Sequence, residues 1–262
     1  LPLLAGATVH VAPADFSIDI DAACALLHRV RPTVMEATPS LWAEIVHQDP
    51  QAVQGIRACA GGEALPHTLV TTLRAAGADV FNLYGPSEAA IVATSHHVTG
   101  DGTPPLGTTL PSVGGDILGA ALTATPDGAL GELYLSGPHL VYGYLGYPAL
   151  TALTFVAAPG GQRRYRTGDL VTRDVDTRDL MYLGRADEQL SLHGLRIERG
   201  EIEAALAAAP GVTAAAVRVD TTAETPTIVG YVVLADAQDD SVAAIQAAVA
   251  DALPSAARPN AI

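Results

Sequence analysis

The sequence predicts an α/β protein in two parts. The larger part alternates strands with helices and then turns antiparallel; the smaller is an α+β unit at the C-terminal end. Three observations carry this reading. Through residue 83, short apolar runs alternate with helically spaced ones at the pitch of βαβ units, which argues for a buried parallel sheet. Over residues 102–171 the texture changes to short strands between Pro-Pro, Pro-Asp-Gly and Gly-Gly turns, the mark of an antiparallel region. The final stretch reads βαββα after a charged break at residues 185–189.

Taken in order, residues 19–30 have helical spacing that stops at Arg31-Pro32, and residues 34–37 form a short strand. A proline-opened helix follows over 40–47, then a strand over 56–59, a Gly61-Gly62 turn, a helix over 68–76 and a strand over 80–83. In the last part, 195–197 is a strand and 200–208 a helix with Glu201 and Glu203 in its first turn, where the helix dipole favours acid. Strands over 212–219 and 227–234 and an Ala-rich helix over 241–253 complete it. The two parts are expected to span residues 1–186 and 187–262.

Composition narrows the function. The 262 residues are 49% apolar, enough for a real core. All fourteen basic residues are arginine, against twenty-eight acidic ones, for a formal charge of −14. No basic field exists to neutralise phosphates, so nucleic acid and anionic membrane are not expected partners. Two cysteines, Cys24 and Cys59, make no disulfide framework, and no apolar run reaches the length of a membrane span. A cytoplasmic protein is expected. The start at Leu1 points to a piece of a longer protein.

Three stretches could carry chemistry. In Asn82-Leu83-Tyr84-Gly85-Pro86-Ser87-Glu88, a strand ends in Gly-Pro and sets a hydroxyl and a carboxylate on a tight loop. That is the strand edge where open α/β sheets bind ligands. Tyr84 offers a flat face to a ring, Ser87 a donor to phosphate, and Glu88 a hard oxygen for Mg²⁺. Gly-Pro-Ser is equally an ordinary turn with Glu88 in water. In Tyr165-Arg166-Thr167-Gly168-Asp169-Leu170, a carboxylate after a glycine turn can accept two vicinal hydroxyls, or can simply cap the turn. In the third, Arg185 and Asp187 lie on the expected boundary, where they could position a ligand or serve as a hinge. His96-His97 lacks further ligands at usable spacing and reads as a surface loop rather than a metal pair.

Together these stretches resemble the amino-acid adenylation domains of nonribosomal peptide synthetases, members of the acyl-adenylate-forming superfamily. The Asn-x-Tyr-Gly-Pro-Thr-Glu motif corresponds to Asn82–Glu88, with serine for threonine. The Gly-Glu-Leu…Gly-Tyr…Pro…Leu-Thr…Phe signature corresponds to Gly131, Glu132, Leu133, Gly143, Tyr144, Pro148, Leu150, Thr151 and Phe155. Tyr165–Leu170 reproduces Tyr-Arg-Thr-Gly-Asp-Leu, and Gly184–Glu203 matches Gly-Arg-x-Asp-x-Gln…Gly-x-Arg-Ile-Glu…Gly-Glu-Ile-Glu.

The resemblance implies the back part of a large adenylation core followed by a small α+β lid. It implies ATP-dependent activation of an amino acid as its adenylate and loading onto a carrier protein's phosphopantetheine arm, among neighbouring synthetase domains. It places Gly62 and Glu63 along the adenine with Tyr84 stacked on it, and Asn82 within the same nucleotide site. Ser87 would contact the α-phosphate, Glu88 would bind Mg²⁺, and Asp169 would hold the ribose hydroxyls with Arg185, with Tyr182 nearby. Ser87, Glu88 and Arg185 would form the catalytic set, Asp187 the hinge, and Gly194 a flank of the phosphopantetheine tunnel. The amino-acid pocket would include Glu36, Cys59, Gly61, Leu83, Ile91 and Val92; Glu36 either points to solvent or selects a basic or hydrogen-bonding side chain.

The chain departs from the family pattern in its cations. The phosphate loop ending in Pro-Lys-Gly and the aspartate that binds the substrate amino group have no counterpart here. The C-terminal lysine has none either, although Leu253-Pro254 and Pro259 match the segment before it. Ser191 and His193 replace two cations of the lid strand, and Tyr142 stands where arginine is usual. Alone, this chain is therefore expected not to adenylate. Two alternatives remain open: a degenerate module that scaffolds neighbouring domains, and an acyl- or aryl-acid ligase of the same superfamily.

Overall fold

The computed structural model describes residues 2–187, 190–192, 195–197, 199–220, 227–235 and 241–262. The chain divides into two compact units, Leu1–Ala186 and Asp187–Ile262.

In the first unit, α1 (Ile20–Val30) starts where the Asp19 carboxylate accepts the Ala22 N–H at 3.0 Å, and it ends at Arg31 in the left-handed region. Strand β1 (Val34–Ala37) leads into α2 (Pro39–Gln48), capped by the Thr38 hydroxyl and opened by Pro39, whose missing N–H has no role at a first helical position. Then come β2 (Arg57–Gly61), α3 (His67–Ala75) and β3 (Asp79–Tyr84). β2 runs on to Gly61, beyond the expected end at residue 59, because Gly61 still pairs with Leu83. Strands β4 (Thr94–His97) and β5 (Thr108–Thr109) complete a sheet of order β1-β2-β3-β4-β5, parallel across the first three and antiparallel beyond.

Helices cover one face of this sheet. Trp42 and Ile45 of α2 and Leu73 of α3 are fully buried against Ala58 and Ala60 of β2 and Val80 of β3. Burying such side chains stabilises by roughly 1.5–3 kcal/mol each. The opposite face carries Glu36, Cys59 and Phe81 in one register row and Gly61 with Leu83 in the next. Glu36 is exposed and the others are half-buried. A buried parallel sheet was expected; the helix side is fully buried, and the opposite face is partly so.

The antiparallel sheet has the order β10-β9-β7-β6, with β8 also on β9. It is built from β6 (Gly114–Leu118), β7 (Gly131–Ser136), β8 (Phe155–Ala157), β9 (Arg163–Arg173) and β10 (Leu180–Arg185). A short helix not foreseen from the sequence, α4 (Pro148–Thr154), precedes β8. Leu133, Leu135, Val171 and Leu180 of this sheet pack with Ala89, Ala93 and Tyr84 from the chain leaving β3, joining the two sheets in one unit.

The second unit holds the hairpin β11 (Leu190–Leu192) with β12 (Leu195–Ile197), then α5 (Arg199–Ala207), the antiparallel pair β13 (Val212–Asp220) and β14 (Thr227–Leu234), and α6 (Ser241–Ala252). Ile202, Leu206, Val217, Ile228 and Ile245 form its core. Glu203 of α5 accepts the Val217 N–H and the Arg199 guanidinium, both at 3.0 Å, and these bonds, the amide first, lower its carboxyl pKa. A lowered folded-state value gives stability that is complete above the unfolded value and lost as pH falls through the folded one. Amide-exchange protection of β13 and β14, corrected for intrinsic rates, is expected to weaken below about pH 4.3. Glu203→Gln should lack that pH-dependent portion; identical pH profiles would exclude Glu203 as its source. No helix among the described residues is long and apolar enough to cross a membrane.

Candidate active site

The site begins where β3 ends. Past Tyr84 the chain turns through Gly85-Pro86 into a single 3₁₀ turn, Ser87–Ala89, then through Ala90 (φ 56°) and Ile91 (φ 74°) in the left-handed region. A β-branched residue with positive φ is strained by about 1–2 kcal/mol, and the surrounding contacts must hold it there. Gly85 is required at this point. A Cβ there would lie 2.4 Å from the Ile91 carbonyl oxygen and 2.7 Å from the Ala93 nitrogen, so the returning chain could not pass. The turn leaves Ser87 exposed and buries Glu88 to 8% exposure. The Glu88 carboxylate accepts the Tyr144 hydroxyl at 2.6 Å.

A second carboxylate comes from the other sheet. Asp169, 7% exposed, sits on β9 directly opposite Arg185 of β10. Its Oδ1 accepts Arg185 Nη1 at 2.8 Å and its Oδ2 accepts the Tyr84 hydroxyl at 2.5 Å. Arg185 also donates to the Thr167 carbonyl at 3.2 Å. Burial pushes the Tyr84 phenol well above its usual pKa, and the Asp169 charge adds to the shift, so the phenol stays a donor.

The glycine turn that presents Asp169 is itself anchored. Gly168 (φ 76°) gives its N–H to Glu132 Oε1 at 3.1 Å, and both Glu132 oxygens accept Arg166 Nε, at 2.8 and 3.0 Å. The Thr167 hydroxyl donates to the Leu133 carbonyl and accepts the Asp169 N–H at 3.0 Å. Glu132, Thr167 and Tyr144 thus shape the site, although sequence reasoning gave them no role. Their signal was present, because all three lie inside the quoted motifs.

Other expected site residues divide by side-chain placement. Asn82 is buried with its amide on the Pro105 carbonyl at 2.7 Å, which ties the loop before β5 to the sheet. Glu63 turns its carboxylate to α2, where Oε2 accepts the Ser40 N–H at 3.0 Å and its hydroxyl at 2.6 Å. Gly62 is exposed beside it with φ 85°, and Tyr182 is half-buried against the apolar cluster that includes Leu180. Glu36, Cys59, Gly61 and Leu83 share the open face, with burial and then the Glu36 charge raising the Cys59 thiol pKa. Ile91 is exposed and Val92 half-buried on the returning chain.

Asp187 opens the second unit, and Gly194 lies outside the described residues. His96 and His97 belong to β4, not to a loop: His97 stacks on Phe81 at 4.5 Å and pairs with Asp79, and His96 pairs with Asp179. Among the described residues no group of three or more His, Cys, Asp or Glu could hold a metal ion. The buried Glu88 carboxylate is of the chemical type that takes Mg²⁺ together with waters and substrate phosphates.

Known proteins place this arrangement. Residues 1–145 match the family described as AMP-binding enzyme, and residues 201–262 match the AMP-binding enzyme C-terminal domain. The dimodular nonribosomal peptide synthase of Bacillus subtilis (strain 168) is 39% identical over 222 residues, 83% of this chain and 9% of that protein. Enterobactin synthase component F of Escherichia coli (strain K12) is 34% identical over 278 aligned positions, 97% of this chain and 21% of that protein. The crystal structure of IdnL1 superposes with a TM-score of 0.86 at 28% identity, covering 98% of this chain and 55% of that one. An artificially fused adenylation–PCP di-domain, NpsA-ThdA from Klebsiella oxytoca, gives 0.82 at 25% identity, covering 99% and 52%. The chain therefore spans about half the length of these two structures and a smaller share of the two synthases.

Proposed function

Since the chain belongs to the AMP-binding enzyme family, as the C-terminal part of an adenylation domain of the nonribosomal peptide synthetase type, we propose that it supplies the nucleoside side of a site that activates an amino acid as its adenylate. The acyl group would then pass to the phosphopantetheine thiol of a carrier protein. The observation that carries this reading is Asp169, held from both sides by Tyr84 at the end of β3 and Arg185 at the end of β10.

In the first half-reaction a substrate carboxylate oxygen attacks the α-phosphorus, and the bond to the bridging oxygen breaks to release pyrophosphate. In the second, a thiol sulfur attacks the acyl carbon and AMP leaves. In both, the protein's part is positioning and charge neutralisation. Asp169 accepts the ribose hydroxyls, with Arg185 keeping it in place. Tyr84, tethered by its hydroxyl, presents its ring to the adenine. Gly62 and Glu63 lie along the base, with Glu63 Oε2 held by the Ser40 N–H and hydroxyl. The exposed Ser87 hydroxyl donates to the α-phosphate. Glu88 would hold Mg²⁺, which when bound would supply charge neutralisation.

For the substrate, Glu36 stands opposite Cys59 on the sheet face away from the helices; its exposure fits a carboxylate in water, and a basic or hydrogen-bonding substrate side chain is the alternative reading. What supports Asp187 as the hinge is the division between the two units, which falls immediately before it. Adenylation–PCP neighbours such as NpsA-ThdA support a carrier-protein partner.

The chain alone is proposed not to adenylate. It contains no lysine, so it cannot supply the mobile ammonium charges of the family, each of which can contribute on the order of 3 kcal/mol to a barrier. ATP–pyrophosphate exchange by this polypeptide is expected to stay at background with every amino acid tested. Robust exchange would refute the proposal.

Ser191 and His193, standing where the family's lid strand carries cations, favour a second reading, a non-catalytic adenylation-like module. AMP titration by calorimetry separates the two, since a purely scaffolding module has no reason to bind AMP.

A further inference from the structure

Glu88 projects from a single 3₁₀ turn, which by itself leaves its side chain several rotamers. Distant chain restrains it. The segment between β7 and α4 crosses the turn, with the Val141 N–H on the Glu88 carbonyl at 3.0 Å and the Tyr144 hydroxyl on Glu88 Oε1 at 2.6 Å. We propose that Tyr144 is the positioning residue for Glu88, setting the carboxylate for a divalent cation bound with nucleotide phosphates. The inference rests on the reading of Glu88 as the Mg²⁺ ligand.

Tyr144 is held as a positioning group must be. Its backbone N–H donates to the Thr151 hydroxyl at 2.9 Å, and that hydroxyl donates to the Tyr147 carbonyl at 3.0 Å. Gly143 (φ 145°) allows the approach, since a Cβ there would lie 2.4 Å from Thr151 Cγ2. Arg163 clamps the same segment by donating to the carbonyls of Tyr142 and Val141 at 2.9 and 3.0 Å. The Tyr144 ring meets Phe155 edge-on at 5.9 Å, and Phe155 lies 5.2 Å from the fully buried Tyr165 of β9, the strand that presents Asp169. The phenol thus bonds to the carboxylate from a seat fixed by packing on one side and hydrogen bonds on the other. Partners of this kind orient ligand carboxylates, and their loss typically costs 10–100-fold in metal affinity.

The test is Mn²⁺ titration of the chain with ATP, read by the Mn²⁺ electron paramagnetic resonance signal, on Tyr144→Phe, Glu88→Gln and the double variant. Tyr144→Phe keeps the ring against Phe155, so its melting temperature should stay within about 4 °C of the unchanged chain. Its Mn²⁺ affinity with ATP is expected to fall about tenfold, while ATP binding without metal holds. Glu88→Gln should abolish the metal-dependent part, and the double variant should lose nothing more, since both act through one carboxylate. Thr151→Val, which releases the Tyr144 backbone, should weaken Mn²⁺ binding a few-fold in the same direction. Unchanged Mn²⁺ affinity in Tyr144→Phe, or losses that add in the double variant, would overturn the inference and leave the Glu88 reading standing. Metal-dependent binding that survives Glu88→Gln, or is missing from the unchanged chain, would overturn both.

Discussion

Asp169→Asn is expected to lower AMP affinity at least about a hundredfold and to destabilise the first unit by about 3 kcal/mol. The amide removes the negative charge between the Tyr84 hydroxyl and Arg185 Nη1. It leaves a guanidinium whose side chain is only 16% exposed without its cross-strand partner. Breaking a buried pair from one side costs more than the pair contributes, because the remaining charge stays desolvated. A loss of this size lowers the melting temperature by roughly 6–12 °C. Trp42, the only tryptophan, lies in the buried core of the same unit, so its fluorescence follows that melt while calorimetry follows AMP. AMP affinity equal to that of the unchanged chain would remove Asp169 from the site.

Trp42→Ala is expected to cost about 4 kcal/mol. The indole is fully buried between α2 and the sheet, and its Nε1 donates to the Cys59 carbonyl at 3.0 Å. Truncation opens a cavity beneath β2 and deprives a backbone acceptor on the strand that carries Cys59 and Gly61. Trp42→Phe retains much of the volume and should lose only about 1–2 kcal/mol. Circular dichroism melts of the two variants check the order. A Trp42→Ala melt as stable as that of Trp42→Phe would show that the helix layer does not depend on this side chain.

Much of the fold was legible because its signals are local. Asp19 and Thr38 cap α1 and α2, Pro39 opens the second helix, and the apolar periods of β3 and α5 appear close to where they were expected. The order of motifs was legible as well, from Asn82 to Glu203, and with it the family. α4 was missed because its seven residues are too short for a periodic signal and none of them is buried. His96 and His97 were read as loop because nothing local shows that one histidine stacks on Phe81 and the other meets Asp179.

At the site, residue type identified the candidates but not their company. Glu63 and Asn82 were expected to line the nucleotide, and the structure adds that one Glu63 oxygen holds the start of α2 and the Asn82 amide the Pro105 loop. Conversely, Glu132 and Tyr144 belonged to recognised motifs without a task until their partners, 34 and 56 residues away, were seen. Such bonds depend on the register of one strand against another. A slip of one residue would turn every side chain to the opposite face.

The amino-acid sequence alone determined the order of elements, the chemistry available at each motif, and the absence of any lysine from this chain. Those follow from composition and from contacts within a few residues. Only the tertiary structure decided that Asp169 is shared between Tyr84 and Arg185 and that Tyr144 sits on Glu88. The Tyr84 bond to Asp169 closes only when the two sheets pack against one buried cluster, while Arg185 reaches Asp169 across neighbouring strands of one sheet, and no local propensity encodes either meeting.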